Sequence, residues 1–345
     1  MKNLLVALLA ALVSTLLLLA LFSSSFPEAA AGFFAAPLSS AYFLGNLAAA
    51  SVPLIVAGLG TAVAFSSKNF NLGGEGQIYA GALAATLAAL ALGGPENPGI
   101  LSVFALRLGA FLAAMAAGAL LGGFSGMLKR RLGVDELISS FLVSSAVVLA
   151  VDYLVTGPFQ DPGSNFQTTR AVFPYLMFAK ILPPSSLSTG ILIALAAAVA
   201  GKVVMDKTRF GFELRLCGID RDFARYVGID NGFYTVLPMA ISGALHGLAG
   251  ALMVFGSYRA TMRGFSAGAG WNAIAVSLIA GNNPLFLVPS ALFYSYLEAG
   301  SRSILMAGLV RSEIASVVQS VVFLLITATR APTLFKRRPF ARNMP

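Results

Sequence analysis

Apolar runs of roughly 17–25 residues, the length that crosses a bilayer as helix, recur through almost all of this chain and constrain its fold more than any other feature. In hydrocarbon no water satisfies backbone N–H and C=O groups, so each run must close its own hydrogen bonds. The pattern predicts an all-α integral membrane protein of about ten transmembrane helices, with broken or re-entrant segments around a central pathway. Charged residues make up only 11% of the chain, against about 25% in an ordinary soluble domain. Nothing outside the runs is long enough to fold as a soluble domain of its own.

The expected spans lie at 4–22, 46–65, 77–92, 101–128, 135–156, 186–205, 233–257, 268–281, 285–301 and 313–329. The first is longer than a signal-peptide core and reads as an uncleaved N-terminal helix. The eighth is short and glycine-rich, which suits a broken or re-entrant segment. Between the sixth and seventh lies a polar segment, 206–232, and a basic tail closes the chain at 331–345. The segment 157–185 carries five prolines and reads as an irregular loop with at most short helices.

The net charge of +9 raises nucleic acid as a partner, but its placement excludes that reading. Lys129-Arg130-Arg131, Lys207, Arg209, Arg215, Arg221, Arg225 and Lys336-Arg337-Arg338 sit in short loops and at the tail. This is the asymmetry that orients membrane proteins, with basic loops in the cytoplasm. Both termini and the polar segment are thereby expected on the cytoplasmic side of a prokaryotic inner membrane. Arg259, Arg263, Arg302 and Arg311 run against this alternation. A single cysteine, Cys217, excludes an internal disulfide and a multi-cysteine metal site, and it reads as a packing residue.

Residues 206–230 hold ten charged side chains, five of each sign, in an otherwise oily chain. Phe223, Tyr226 and Val227, at i, i+3 and i+4, give a short helix an apolar face suited to a partner's groove. Arg215, Arg221 and Arg225 are placed to pair with acidic residues at its rim. Asn69 to Tyr79 packs three glycines into four residues, which weakens helix there. Non-helical backbone at membrane depth must be buried in protein or line a cavity, so Asn71, Glu75 and Gln77 are expected to border a pathway. In Gly270 to Pro284, Trp271 and Asn272 offer a ring to stack on a flat solute and an amide to bond its edge. Trp271 taken alone reads rather as an interfacial anchor. His246, mid-span, reads as a packing histidine, and Glu298 with Arg302 as an i, i+4 pair. There is no catalytic set and no phosphate-cradling Gly-x-x-x-x-Gly-Lys-Ser/Thr loop, so any ATP-driven process needs an ATPase on another chain.

Gly211 to Ile229 resembles the coupling segment of ABC-importer permeases of the sugar, branched-chain amino-acid and nucleoside branch. Arg215, Gly218, Ala224, Tyr226, Gly228 and Ile229 fit its pattern, while Asp220 stands where Asn is usual and Phe223 where a small residue is. The runs 71–77 and 270–284 are also similar to this branch, and together they look most like the nucleoside-uptake permeases. The resemblance spans about 45–330, which it makes the permease core of a single transmembrane domain.

It implies that Glu213, Arg215, Gly218, Asp220, Arg221, Phe223, Arg225, Tyr226 and Gly228 form the ATPase-coupling surface. It further implies two nucleotide-binding domains, often fused in one chain, that bind ATP and Mg, with no cofactor on this chain. A second homologous permease and an extracytoplasmic substrate-binding lipoprotein would complete the transporter. Its expected cargo is a neutral nucleoside, a purine in particular. A simple-sugar or branched-chain amino-acid permease is the alternative, and an ion-coupled secondary transporter a distant one. A membrane-embedded enzyme is disfavoured by the missing catalytic set.

Overall fold

A computed structural model of the protein describes residues 2–93 and 98–311, with single positions at 314, 317, 320, 321 and 324. The loop around Glu96 and the tail at 331–345 lie outside the described residues, as does most of the last expected span, 313–329. The described helices are α1 (Lys2–Phe22), α2 (Phe26–Phe34), α3 (Ala41–Ser66), α4 (Gly74–Leu92), α5 (Ile100–Leu132), α6 (Glu136–Thr156), α7 (Gly190–Lys207), α8 (Arg209–Ile219), α9 (Arg221–Tyr226), α10 (Phe233–Met253), α11 (Ala269–Ala280) and α12 (Leu287–Met306). Among the described residues the only β pairing is three isolated bridges.

The helices track the apolar runs closely, with two exceptions. A short helix, α2, forms where a loop was expected, and the polar segment is a compact pair, α8 and α9, rather than a loop with one helix. Among the described residues, five helices are long and apolar enough to cross a membrane, six if α11 and α12 cross as one bent unit. α7 carries Lys202, Asp206 and Lys207 in its last turns. The short eighth run is one unbroken helix, α11, where a broken segment was expected; the bend follows it, and α11 and the helix after it meet at 118°. The turn falls at Gly281 (φ 63°) and Asn282 (φ 58°). Asn283 then caps the 3₁₀ turn Pro284–Phe286 by accepting from Leu285 N–H at 3.2 Å.

The chain forms two compact units, one of residues 44–295 and one of 1–43 with 296–345. In the smaller unit Tyr296 donates to the Phe34 carbonyl at 2.9 Å, and Ser24 N–H donates to the Leu309 carbonyl at 3.0 Å. The larger unit is built around α3 and α10, both apolar all round and mostly buried, as a membrane-interior helix must be. α5 keeps most of its surface exposed and lies at the periphery. It crosses α10 where Gly118 faces Gly243, and a Cβ on either would strike the other's carbonyl oxygen. Small residues thus let two backbones touch where apolar burial alone gives no preference.

Local signals fix the ends of these helices. α5 stops at Gly133 in the left-handed region (φ 68°), with its N–H on the Lys129 carbonyl. α6 starts at Asp135, whose carboxylate accepts from Leu137 N–H at 2.8 Å. The segment between α6 and α7 is irregular, with one 3₁₀ turn at Pro174–Leu176. Arg107 anchors that turn by donating to the carbonyls of Tyr175, Leu176 and Met177 at 2.8–3.0 Å. Lys180 donates to Gly256 O at 2.8 Å, and burial lowers its basicity.

Candidate functional site

Two regions of the larger unit gather the residues singled out by the sequence. The first is the segment between α3 and α4. It leaves α3 at Ser66 and runs back alongside the helices, so that α4 begins beside His246, halfway along α10. A Cβ on Gly74 would lie 2.6 Å from His246 Nε2. Non-helical backbone at that depth needs a partner for every N–H. Asn69 N–H donates to Ala64 O and Gly73 N–H to Asn71 Oδ1, and a polar ladder on α6 takes Phe70 and Leu72 and, in the first turn of α4, Gly76. Glu136 Oε1 accepts from Phe70 N–H at 3.4 Å, Ser140 Oγ from Leu72 N–H at 3.0 Å, and Ser144 Oγ from Gly76 N–H at 2.7 Å. These acceptors sit at i, i+4 and i+8, one face of one helix. That spacing was visible in the sequence but was not singled out there.

Asn71 and Gln77 are buried at 1% and 2% exposure, and their amides bond each other in both directions, at 2.9 and 3.1 Å. Asn71 also donates to Ser242 Oγ at 2.9 Å and accepts from Gly73 N–H. Both amides are spent on shaping the segment. Glu75 is half-buried. It accepts from Gly270 N–H at 2.8 Å and from Ser266 Oγ. No side chain of its own caps α11, so Glu75 serves as that helix's cap from across the fold, a negative charge at a positive helix end. One residue on, Trp271 is 42% exposed, with its ring centroid 6.0 Å from that of Phe141. Asn272 is half-buried and accepts from the Tyr294 hydroxyl at 2.8 Å. The structure therefore joins Glu75, Trp271 and Asn272 at the start of α11, behind which Asn71 and Gln77 form a buried pair.

His246 is fully buried, with Nδ1 2.7 Å from Ser242 O and no partner at Nε2 among the described residues. It packs between α3 and α4, against Gly60 and Gly74. Glu298 and Arg302 pair at 2.9 Å as their spacing suggested.

The second region is the hairpin of α8 and α9. Thr208 caps α8 by accepting from Gly211 N–H, and Asp220 caps α9 by accepting from Asp222 and Phe223 N–H at 2.9 and 3.0 Å. Gly218 lies against the end of α3 so closely that a Cβ would strike the Ser66 carbonyl oxygen. Cys217 is buried among Val63, Met205, Leu214, Ala224 and Tyr234, where burial pushes its thiol pKa up. Glu213 bonds Arg209 at 2.5 Å and the Tyr234 hydroxyl at 2.7 Å. The Arg209 bond first, and the Tyr234 bond second, lower its carboxyl below the usual range. Arg215 turns back to Asp206, at 3.6 Å, and to the Met205 carbonyl.

Arg221 likewise points into the fold, toward Asn69 and Ser67. Outward face Ile219, Phe223, Tyr226 and Val227, at 74, 50, 87 and 49% exposure. Arg225 and Gly228 (φ 86°) are exposed beside them. The residues expected on one coupling surface thus divide: Glu213, Arg215, Gly218 and Arg221 hold the hairpin to the bundle, and Phe223, Arg225, Tyr226 and Gly228 face out.

Residues 43–327 match the protein family described as "Branched-chain amino acid transport system / permease component". The chain is 32% identical over 298 residues to a probable riboflavin import permease protein of Treponema pallidum, covering 86% of this chain and 78% of that one. It is 32% identical over 316 residues to a glucose ABC transporter permease protein of Haloferax volcanii, covering 88% and 80%. It is 31% identical over 295 residues to a guanosine ABC transporter permease protein of Bacillus subtilis, covering 84% and 82%. Among solved structures it resembles a chain of PsaBC from Streptococcus pneumoniae in complex with Fab. There the TM-score is 0.51 at 16% identity, over 88% of this chain and 99% of that one, a likeness of fold.

Proposed function

Because the chain belongs to the family of branched-chain amino acid transport system permease components, multi-pass membrane subunits of ABC transporters that are not themselves enzymes, we propose that it carries nucleosides, purine nucleosides in particular, into the cell. The observation that carries the docking half of this reading is the outward face of α8 and α9. Ile219, Phe223, Tyr226 and Val227, with Phe212 on α8, stand exposed on a hairpin whose Glu213 and Arg221 are already bonded to the rest of the chain. Such a face, rimmed by Asp220, Asp222 and Arg225, fits a groove on an ATPase. That ATPase, two nucleotide-binding domains in one chain, would hold the ATP and Mg. The hairpin and both termini would then be cytoplasmic, in the inner membrane of a prokaryote. A second homologous permease and a substrate-binding lipoprotein complete the importer.

The cargo reading rests on the start of α11. Trp271 presents a ring to a flat solute, and Asn272 and Glu75 present polar atoms beside it. Relatives named for guanosine and riboflavin handle planar heterocycles. The relative named for glucose supports a sugar as the second reading, since polar atoms beside an indole suit a sugar as well. Calorimetry on the partner binding lipoprotein separates them. Guanosine or uridine binding, with glucose inert, is the expected result; glucose binding with both nucleosides inert overturns the cargo reading.

A further inference from the structure

Arg221 lies in the hairpin expected to meet an ATPase, yet its guanidinium is turned away from the exposed face. It donates to Asn69 Oδ1 at 2.7 Å, Ser67 O at 3.3 Å and Thr235 Oγ1 at 3.4 Å. Asn69 is fully buried and uses both ends of its amide. Its nitrogen donates to Tyr234 O at 2.7 Å and Ser67 Oγ at 2.8 Å, while its oxygen also accepts from Lys129 at 3.5 Å. Lys129 in turn pairs with the buried Glu136 at 2.6 Å. Asn69 is thus the point where α9, α10 and α5 all bond to the first residues of the extended segment. Six residues further along that segment, Glu75 caps the helix that carries Trp271.

We propose that the Arg221–Asn69 bond is the positioning contact through which movement of the hairpin reaches the segment 69–75, and through it the start of α11. The proposal rests on the ABC-permease reading and gives Arg221 a part distinct from docking. A planar guanidinium that bridges three acceptors holds direction as well as distance, which a lysine ammonium does not. The part of that segment before α4, 69–73, has no helix of its own to absorb a pull, and its Phe70 and Leu72 N–H groups are fixed to α6. Contiguity of this kind shows a route, and coupling along it is a matter for measurement.

The test uses the whole transporter in membrane vesicles, with its ATPase and binding protein, and tritiated guanosine as the probe. Wild type must retain the ATPase through purification and take up guanosine; failure at this step sinks the proposed function rather than the link. In Arg221→Lys the ATPase is expected to co-purify as in wild type, while guanosine taken up per ATP hydrolysed falls by about tenfold. Loss of the ATPase from the purified complex would make Arg221 a docking residue and overturn the proposal, as would an unchanged uptake per ATP.

Asn69→Ala is expected to lower the same ratio, and the double variant to be no worse than the more severe single one. Losses that multiply would show two independent roles and overturn the link. Should Asn69→Ala fail to fold, the Arg221→Lys ratio decides alone. A contact that only stabilised the hairpin would lower the melting temperature and leave the ratio untouched.

Discussion

The hairpin of α8 and α9 and the extended segment at 69–75 solve opposite problems. The hairpin is polar in sequence and ends with apolar side chains on its outer face, while Arg215, Arg221 and Glu213 bond to Asp206, Asn69 and Tyr234 of the permease itself. The segment is glycine-rich and irregular in sequence and ends mostly buried, where α6 supplies acceptors for its Phe70 and Leu72 N–H groups. In the first, polar groups are spent on the permease itself and an apolar face is left exposed. In the second, they are spent to let non-helical backbone lie beside the middle of α10. Polarity in a membrane protein therefore marks where backbone or charge needs satisfying, and only the leftover groups are available to partners or cargo.

The comparison breaks hardest at Gly218. Gly218→Val drives a side chain into the Ser66 backbone, which has no rotamer with which to yield. A loss of about 3 kcal/mol is expected, the upper part of the usual range for overpacking. It would be read as a lowered melting temperature of the detergent-solubilised permease. Next in size is Tyr226→Ala on the exposed face, expected to weaken ATPase association by about 2 kcal/mol. The melting temperature should stay within a degree or two, and an equal drop in stability would show that the face is structural.

Smaller is Glu75→Gln, which keeps the shape and removes the charge from the start of α11. It is expected to cost about 1 kcal/mol and to reduce uptake more than it reduces docking; an unaltered uptake would separate Glu75 from the pathway. The smallest effect is pH-dependent. Glu213 is held below its ordinary pKa by Arg209 and then Tyr234, so its contribution is complete above the ordinary carboxylate range. It fades as pH falls below about 4.3 toward the lowered value. Hydrogen exchange across 209–219 should quicken in that window, and Glu213→Gln should flatten the response.

Much of this was legible in the chain. The apolar runs located α1, α3 to α7 and α10 to α12 within a few residues, because length in hydrocarbon leaves little choice of structure. The three glycines near Glu75 announced an irregular segment, but only 69–73 is non-helical, and Gly74 and Gly76 lie in the first turn of α4; Asn282-Asn283-Pro284 announced a turn. The partners were harder to see. Asn71 and Gln77 read as pathway amides and were found bonded to each other, because six residues of extended and helical chain bring them face to face. Arg215 and Arg221 read as cations for a partner's rim and were found bonded within the chain, Arg215 to Asp206 and Arg221 to Asn69, because the spacing of a short helix fixes a side chain's face and not its partner. Glu136, Ser140 and Ser144 passed unnoticed, since their acceptor role exists only once another segment lies across α6.

By itself the sequence determined that this is an all-helical membrane protein with a polar segment between its sixth and seventh apolar runs, because hydrophobic length and charge placement act locally. Tertiary structure alone decided which polar groups remain free. Hydrogen bonds between residues far apart in the chain, such as Asn69 with Arg221 and Glu75 with Gly270, depend on where the helices cross. Those crossings are set by small residues whose close approach no single segment specifies.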